Sequence, residues 1–275
     1  MESPTYITKS GIAVYSTGEA GTPIVVIPGG PGASSKLYRR YLIELASKRK
    51  LIFWDYRGTG RSKEIGSHGF NEDHKDLLEV IDSLSTDKIS LLAHSYGGVH
   101  ALKFASEKPT IVQDLILVST SPSFIDSSRT AQSLKRKNIG EKDFTTMAST
   151  FGKIAKANYP KEMADTLSAI EAKNQLLNPS PQSIKEFVDD SELNYRSVRE
   201  TAGWVELNSR VSLPKITART LVLASEQDIV VPPRYSQEIS STIPNAQLIM
   251  FQQSRHWSFW EENKTFITIV SDFLR

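Results

Sequence analysis

Cysteine is absent from the 275 residues of this sequence. Its absence excludes disulfide bonds, thiolate metal sites and a cysteine nucleophile. No apolar run approaches the roughly 18 residues of a membrane-spanning helix. Residues 1–11 (MESPTYITKSG) also lack the basic and then apolar segments of a signal peptide. We therefore expect a cytoplasmic protein that does not interact with membranes.

An excess of charge of one sign is also absent. The 33 Lys and Arg residues are offset by 31 Asp and Glu residues, and no basic stripe is interleaved with aromatic residues. Nucleic acid is therefore not an expected partner. With 39% hydrophobic and 23% charged residues, the composition is that of a globular chain. We expect a monomer or a homodimer.

Short apolar runs alternate with amphipathic patterns along the first third of the chain. The runs at residues 24–27, 51–54, 89–93 and 115–118 indicate strands, and residues 36–47, 73–84 and 97–106 have helical spacing. Apolar strands that alternate with amphipathic helices predict a parallel sheet covered on both faces. Such sheets bind their ligands beyond the carboxyl ends of the strands.

The strand pattern disappears between residues 122 and 213, where the sequence is polar and helical. It returns at residues 220–224 and 247–251, and a closing helix is predicted at residues 266–274. We therefore expect an α/β core, residues 1–121 and 214–275, interrupted after the sixth strand by a helical insertion, residues 122–213.

Ser95 lies in the stretch LLAHSYGG, residues 91–98, between a predicted strand and a predicted helix. A serine nucleophile on a sharp strand-to-helix turn needs small neighbours two positions before and after it, and here these are Ala93 and Gly97. In that reading the amide of Tyr96 points at the substrate oxygen. The alternative is a serine that caps an ordinary helix.

A serine nucleophile needs a base and an acid that orients the base. His256 follows the last predicted strand, and Asp228 follows the strand before it, so both are expected at the edge of the sheet where Ser95 lies. Glu226 competes with Asp228 as the acid. We expect no metal site, and we assign packing or surface roles to the other four histidines, His68, His74, His94 and His100.

The loop PGGPG, residues 28–32, follows the predicted strand at residues 24–27. Its glycines allow a close approach of the backbone to a substrate, and Gly30 is our candidate for a second oxyanion-hole donor beside Tyr96. The loss of one such donor costs about 3 kcal/mol of transition-state stabilisation. The alternative is a simple Gly/Pro turn at a strand end.

Five stretches of the sequence resemble the α/β-hydrolase superfamily, more narrowly its proline-iminopeptidase branch and the esterase relatives of that branch. They are PGGPG, FWDYRGTGRS (residues 53–62), AHSYGG (93–98), SEQDIVVP (225–232) and SRHWSFWEE (254–262). The resemblance implies an α/β-hydrolase fold: a mostly parallel eight-stranded sheet with helices on both faces, and a helical lid formed by the insertion. It also implies that the site needs no cofactor. The resemblance implies that Ser95, Asp228 and His256 are catalytic and that Gly30 and Tyr96 form the oxyanion hole. It further implies that Asp55, Arg57 and Gly58 brace the loops around the site.

The sequence departs from the pattern of that branch at four positions. Pro28 replaces the loop histidine, and Ala93 replaces the first elbow glycine. Tyr96 and Arg255 replace the usual tryptophan and a small residue. None of these changes removes a catalytic group, but they weaken the resemblance to a true iminopeptidase.

The resemblance leaves the substrate open between two chemistries. Lid glutamates would bind the free amine of a short peptide, and the candidates are Glu192, Glu200 and Glu206. Aromatic residues could instead line an apolar acyl or alcohol pocket, or simply pack; these are Phe151, Tyr159, Tyr195, Trp204 and Trp257. We expect a serine hydrolase for a small-molecule ester or lactone, bulky or macrocyclic. The alternatives are an iminopeptidase-like aminopeptidase and a ligand-binding protein without catalysis.

Overall fold

Eight strands form one sheet in the computed structural model, which describes residues 3–19, 21–154, 161–202 and 208–275. The strands are β1 (Tyr6–Ile7), β2 (Ala13–Thr17), β3 (Ile24–Ile27), β4 (Leu51–Trp54), β5 (Ile89–His94), β6 (Val112–Val118), β7 (Arg219–Ser225) and β8 (Gln247–Phe251). Their order is β1-β2-β4-β3-β5-β6-β7-β8. The β1–β2 and β2–β4 pairs are antiparallel and the other five are parallel. The prediction of a mostly parallel eight-stranded sheet is therefore confirmed.

The central strands are apolar along their whole length because both faces of the sheet are covered. Every residue of β3, β4 and β5 is buried. The helices are α1 (Lys36–Leu42), α2 (Phe70–Asp82), α3 (Tyr96–Glu107), α4 (Phe124–Ile154), α5 (Lys161–Gln175), α6 (Pro181–Ser191), α7 (Tyr195–Ala202), α8 (Arg234–Thr242), α9 (Ser258–Glu261) and α10 (Asn263–Phe273).

Two apolar clusters lie on the two sides of the sheet. The first includes Leu77 of α2, Val99 of α3 and Ile239 of α8. The second includes Leu37 of α1 and Phe266 of α10, and the insertion helices α5 and α6 also contribute to it. The carboxyl ends of β3, β5, β7 and β8 consequently meet at one edge of a firmly packed sheet.

The described residues between β6 and β7 form the helices α4 to α7 and a 3₁₀ turn at Leu213–Lys215, joined by short loops, and contain no strand of the sheet. The backbone of α4 breaks at Gly140, which has a φ of 78°. An antiparallel bridge joins Ser123 to Asn208, where the chain leaves and re-enters the sheet region. None of the helices in the described part of the chain has the length and apolar character needed to cross a membrane.

Several predicted helix boundaries were wrong by a few residues. The helix predicted from Asp73 begins at Phe70, after Gly69 with its φ of 147°. The helix predicted to end at Ser47 ends at Leu42 and continues as a 3₁₀ turn. The closing helix begins at Asn263, three residues before its predicted start.

Candidate active site

Ser95 lies between β5 and α3 in a backbone conformation that L-residues rarely adopt, with φ 54° and ψ −121°. Its side chain makes no capping hydrogen bond to the helix, so it is not an ordinary N-cap. Gly97 must be glycine, because a Cβ there would lie 2.4 Å from the carbonyl oxygen of Pro28 and 2.5 Å from that of Ile27. The sharp turn therefore presents the Ser95 hydroxyl at the carboxyl edge of the sheet.

His256 and Asp228 lie beside this hydroxyl. The Oγ of Ser95 is 2.9 Å from His256 Nε2, and His256 Nδ1 is 2.8 Å from Asp228 Oδ2. A carboxylate can only accept, so Nδ1 donates to Asp228, and in the neutral imidazole Nε2 is then left to accept from Ser95. Asp228 and His256 are 4% and 3% exposed, so water competes little for these bonds.

The loop after β7 fixes the Asp228 carboxylate. Its Oδ1 accepts hydrogen bonds from the amides of Val230 and Val231 at 2.8 and 2.9 Å. Glu226, the competing acid, is exposed, and its carboxylate accepts from the Gln252 side chain at 3.2 Å. The structure thus brings Asp228, and not Glu226, to His256.

The loop at residues 28–32 is held against the elbow by two tyrosines. Tyr56 donates its hydroxyl to the carbonyl of Pro28 at 3.0 Å, and the amide of Gly29 donates to the Tyr38 hydroxyl at 2.6 Å. Within the described ranges, the amide of Gly30 has no acceptor. Gly30 has a φ of 145°, and both it and Tyr96 line the cavity that contains Ser95.

The Tyr96 phenol extends into the protein, where it donates to Asp73 Oδ2 at 3.0 Å. Burial is the main cause that raises the pKa of Asp73 to about 7, and it also raises the pKa of Tyr96 well above its usual value. Nearby, burial lowers the pKa of His74 to about 4 and that of His100 well below its usual value. These side chains form a largely uncharged layer under the elbow.

The segment FWDYRGTGRS forms a hydrogen-bonded support below the site. Arg57 donates from Nε and Nη2 to the two oxygens of Asp76, both at 2.8 Å. Asp55 accepts from the Ser35 amide and hydroxyl at 2.8 and 2.7 Å. A Cβ at Gly58 would lie 1.9 Å from the Glu64 carboxylate. These contacts hold the segment in a fixed position next to α1 and α2.

A cavity of about 340 Å³ opens next to Ser95. Its wall is mostly apolar, and much of it comes from the insertion: Met147, Leu167, Phe187, Leu193, Tyr195 and Val198. Polar residues of the insertion also line it: Gln132, Lys135, Glu171, Gln175 and Ser191. Lys135 Nζ is 2.9 and 3.2 Å from the two oxygens of Glu171. This ion pair is missed by sequence reasoning because its partners are 36 residues apart.

Only part of the predicted substrate set lies on this wall. Tyr195 and Trp257 line the cavity. Tyr159, Trp204 and Glu206 lie outside the described residues, as does the Phe151 side chain.

The lid acids inside the described ranges, Glu192 and Glu200, are absent from the cavity wall. Glu200 is 2.8 Å from Arg196 and also accepts from the His68 amide, and its pKa is lowered to about 2 by these hydrogen bonds, which outweigh burial. Glu192 lies 3.9 Å from Lys36. The described residues contain no group of three or more side chains suited to a metal ion.

Comparison with known proteins identifies the family of this chain. A sequence model of the α/β hydrolase fold matches residues 22–263. The chain belongs to the α/β-hydrolase family. A protein assigned as carbamate hydrolase RutD in Pseudomonas savastanoi is 25% identical over 95% of this chain and 97% of the relative. A proline iminopeptidase of Clostridioides difficile is 27% identical over 93% and 90%.

Solved structures show the same architecture. An esterase from Exiguobacterium antarcticum superposes with a TM-score of 0.77 over 98% of each chain, at 21% identity, which establishes a common fold. The predicted resemblance to iminopeptidases and esterases is confirmed, and this α/β-hydrolase chain is a hydrolase.

Proposed function

We propose that the protein is a serine hydrolase that cleaves a carboxylic ester or a lactone through an acyl-enzyme. The observation that carries the proposal is the continuous path from Ser95 Oγ through His256 to Asp228, at 2.9 and 2.8 Å, on the wall of a largely apolar cavity. Ser95 acts as the nucleophile, His256 as the base and Asp228 as the group that orients the base.

In the first half-reaction Ser95 Oγ attacks the substrate carbonyl carbon while His256 Nε2 takes the hydroxyl proton. The carbonyl electron pair moves to the oxygen, which accepts hydrogen bonds from the amides of Gly30 and Tyr96. The tetrahedral intermediate then expels the alcohol, and His256 gives the proton to that leaving oxygen. Water attacks the acyl-enzyme by the same route and releases the acid and free Ser95.

The charges of the cavity favour an ester over a peptide. Recognition of a free amine needs a carboxylate that is not already neutralised, and Glu171 is the single acid among the described residues of the wall. Its charge is compensated by Lys135. A neutral, mostly apolar substrate fits this wall without breaking the ion pair. The cavity volume suits a bulky ester or lactone better than an acetate.

The helical insertion, residues 122–213, is proposed as a lid. Its support is that α4, α5, α6 and the segment from Leu193 to Val198 contribute residues to the cavity wall. A substrate larger than the present opening would then require displacement of these helices.

An aminopeptidase is the second candidate, because a proline iminopeptidase is among the relatives at 27% identity. A ligand-binding protein without catalysis is the candidate of another class. A complete Ser–His–Asp hydrogen-bonded path favours catalysis over both binding alone and a remnant of an enzyme.

A fluorophosphonate probe tests the proposal, because it labels only an activated serine. We expect wild type and Ser121→Ala to be labelled and Ser95→Ala to remain unlabelled; Ser121 also lines the cavity and is the matched control. Labelling that persists in Ser95→Ala would refute the assignment. Rates on p-nitrophenyl esters are then compared with rates on prolyl and other aminoacyl p-nitroanilides. Faster cleavage of the anilides would establish the aminopeptidase instead.

A further inference from the structure

A second hydrogen-bonded path lies directly behind the proposed catalytic residues. It begins at the Gly29 amide, which donates to the Tyr38 hydroxyl at 2.6 Å. The Tyr38 hydroxyl is 2.8 Å from His94 Nδ1, and His94 Nε2 is 2.8 Å from the carbonyl oxygen of His256. Tyr38 and His94 are each 1% exposed. The path therefore connects the loop after β3, the end of β5 and the loop after β8 inside the protein.

Hydrogen-bond chemistry fixes the direction of every bond in this path. A carbonyl oxygen can only accept, so His94 Nε2 carries the proton that binds His256. In the neutral ring, Nδ1 must then accept, and the Tyr38 hydroxyl donates to it while accepting from Gly29. The buried site favours that neutral ring, because burial lowers the pKa of His94 well below its usual value. Each bond in the path thus joins one donor to one acceptor, and the Tyr38 hydroxyl takes part in two of them.

The path touches three parts of the proposed catalytic machinery at once. Gly29 precedes the oxyanion donor Gly30, and His94 precedes the nucleophile Ser95. His256 is the base itself, and its amide donates a further hydrogen bond to the carbonyl of Gln175 at 3.0 Å. A Cβ at Gly29 would lie 2.9 Å from His94 Nδ1 and 3.0 Å from the Tyr38 hydroxyl. The glycine therefore permits this close packing.

We propose that Tyr38 and His94 are positioning residues that hold the oxyanion loop and His256 in register with Ser95. This inference rests on the proposed function. Neither side chain takes part in proton transfer. They set the distance between the oxyanion loop, which stabilises the negative charge, and His256, which moves the proton. This distance matters for the transition state and not for substrate binding.

Tyr38→Phe is the most conservative test. It leaves the ring in place but removes the acceptor of the Gly29 amide and the donor to His94 Nδ1. Both groups are then buried without a partner, and the loop relaxes away from its position. Since a displacement of about 1 Å can reduce a rate about a hundredfold, we expect kcat on p-nitrophenyl esters to fall roughly tenfold to a hundredfold. KM should change less than about threefold.

Tyr235→Phe is the matched control. The Tyr235 hydroxyl also donates to a backbone carbonyl, that of Asp126 at 2.9 Å, and Tyr235 is 4% exposed. Both variants should lose similar thermal stability, but only Tyr38→Phe should lose kcat. Equal kcat in Tyr38→Phe and wild type, with wild type labelled by the fluorophosphonate, would overturn the inference and leave the proposed function intact. A change confined to KM would do the same, because it would make Tyr38 a substrate contact.

Two variants of His94 separate its two bonds. His94→Gln retains an N–H that reaches the His256 carbonyl, whereas His94→Phe retains ring volume and loses both bonds. We expect His94→Gln to retain at least about tenfold more kcat than His94→Phe. The reverse order would contradict the positioning role.

Nitrogen-15 NMR of the wild-type histidine rings adds a readout that does not depend on activity. His94 should show protonated Nε2 and unprotonated Nδ1 throughout pH 5 to 9. The opposite tautomer would refute the path even in an active enzyme. A wild type that shows this tautomer but neither binds the probe nor cleaves esters would contradict the proposed function and, with it, the positioning role.

Discussion

The buried carboxyl of Asp73 predicts a measurable fall in stability with rising pH. The side chain is fully buried, and its Oδ2 accepts from the Tyr96 hydroxyl at 3.0 Å. Its Oδ1 has no partner among the described residues. Burial raises its pKa from 3.8 to about 7, although the Tyr96 hydrogen bond and the Arg57 charge act in the opposite direction. The folded protein therefore prefers the protonated carboxyl.

The sign and size of the effect follow from that difference. The unfolded chain ionises Asp73 near pH 3.8, while the folded chain keeps the proton until about pH 7. The contribution to stability is complete below pH 3.8 and is lost as the pH rises through 7. Each pH unit between the two values costs about 1.4 kcal/mol, so the whole window amounts to about 4 kcal/mol at most.

Asp73→Asn removes the ionisation and keeps an oxygen that can accept from Tyr96. The free energy of unfolding is measured by urea denaturation between pH 4.5 and 8.5. The difference between Asp73→Asn and wild type should shift in favour of the variant as the pH rises to about 7, and should then stay constant. Asp82→Asn, the same change at an exposed position of α2, is the control and should follow wild type. Parallel curves for Asp73→Asn and wild type, or a difference that shrinks as pH rises, would refute the reasoning.

Three further substitutions test other contacts. Gly97→Ala forces a Cβ to within 2.4 Å of a backbone oxygen, so the free energy of unfolding in urea should fall by about 1–3 kcal/mol; unchanged stability would contradict the close approach. Arg57→Met leaves Asp76 buried without its partner and should cost about 3–5 kcal/mol in the same assay, whereas a loss below about 1 kcal/mol would show that water replaces the arginine. Lys135→Met leaves the Glu171 carboxylate without its counter-ion in the cavity, so the ratio of kcat/KM for aminoacyl esters to kcat/KM for neutral esters should rise about tenfold. An unchanged ratio would mean that substrates do not contact the Lys135–Glu171 pair.

The sheet and the elbow could be predicted from sequence because their signals are local. A strand covered on both faces is apolar at every position, and β3, β4 and β5 are each a single short run of such residues. The elbow requires small side chains close in sequence to Ser95. Gly97 meets that requirement, because a Cβ at this position would lie within 2.5 Å of two backbone oxygens. Patterns of this kind depend on backbone geometry and not on distant packing.

Helix boundaries and the cavity wall were less predictable. The apolar pattern of α2 is clear from Asp73 onward, but the turn that starts the helix depends on Gly69. Glu200 has the charge expected of an amine-binding lid residue, yet Arg196 and the His68 amide already engage it. Which acid faces the cavity is decided by how α4 and α5 pack together, and single-residue patterns do not encode that packing.

The second hydrogen-bonded path, from Gly29 through Tyr38 and His94 to His256, gives a physical explanation for the replacement of the loop histidine by Pro28. Proline has no amide N–H and no polar side-chain atom, so the side chain cannot anchor the loop. The anchoring bonds instead reach the backbone of this loop, from Tyr56 to the Pro28 carbonyl and from the Gly29 amide to Tyr38. Gly30, the next residue, lines the cavity, and its amide has no acceptor among the described residues. Sequence reasoning assigned His94 to packing because the turn directs its side chain away from Ser95, and its hydrogen-bond partners, 56 and 162 residues away, were not foreseen. Those bonds make a substitution at His94 a test of catalysis as well as of stability.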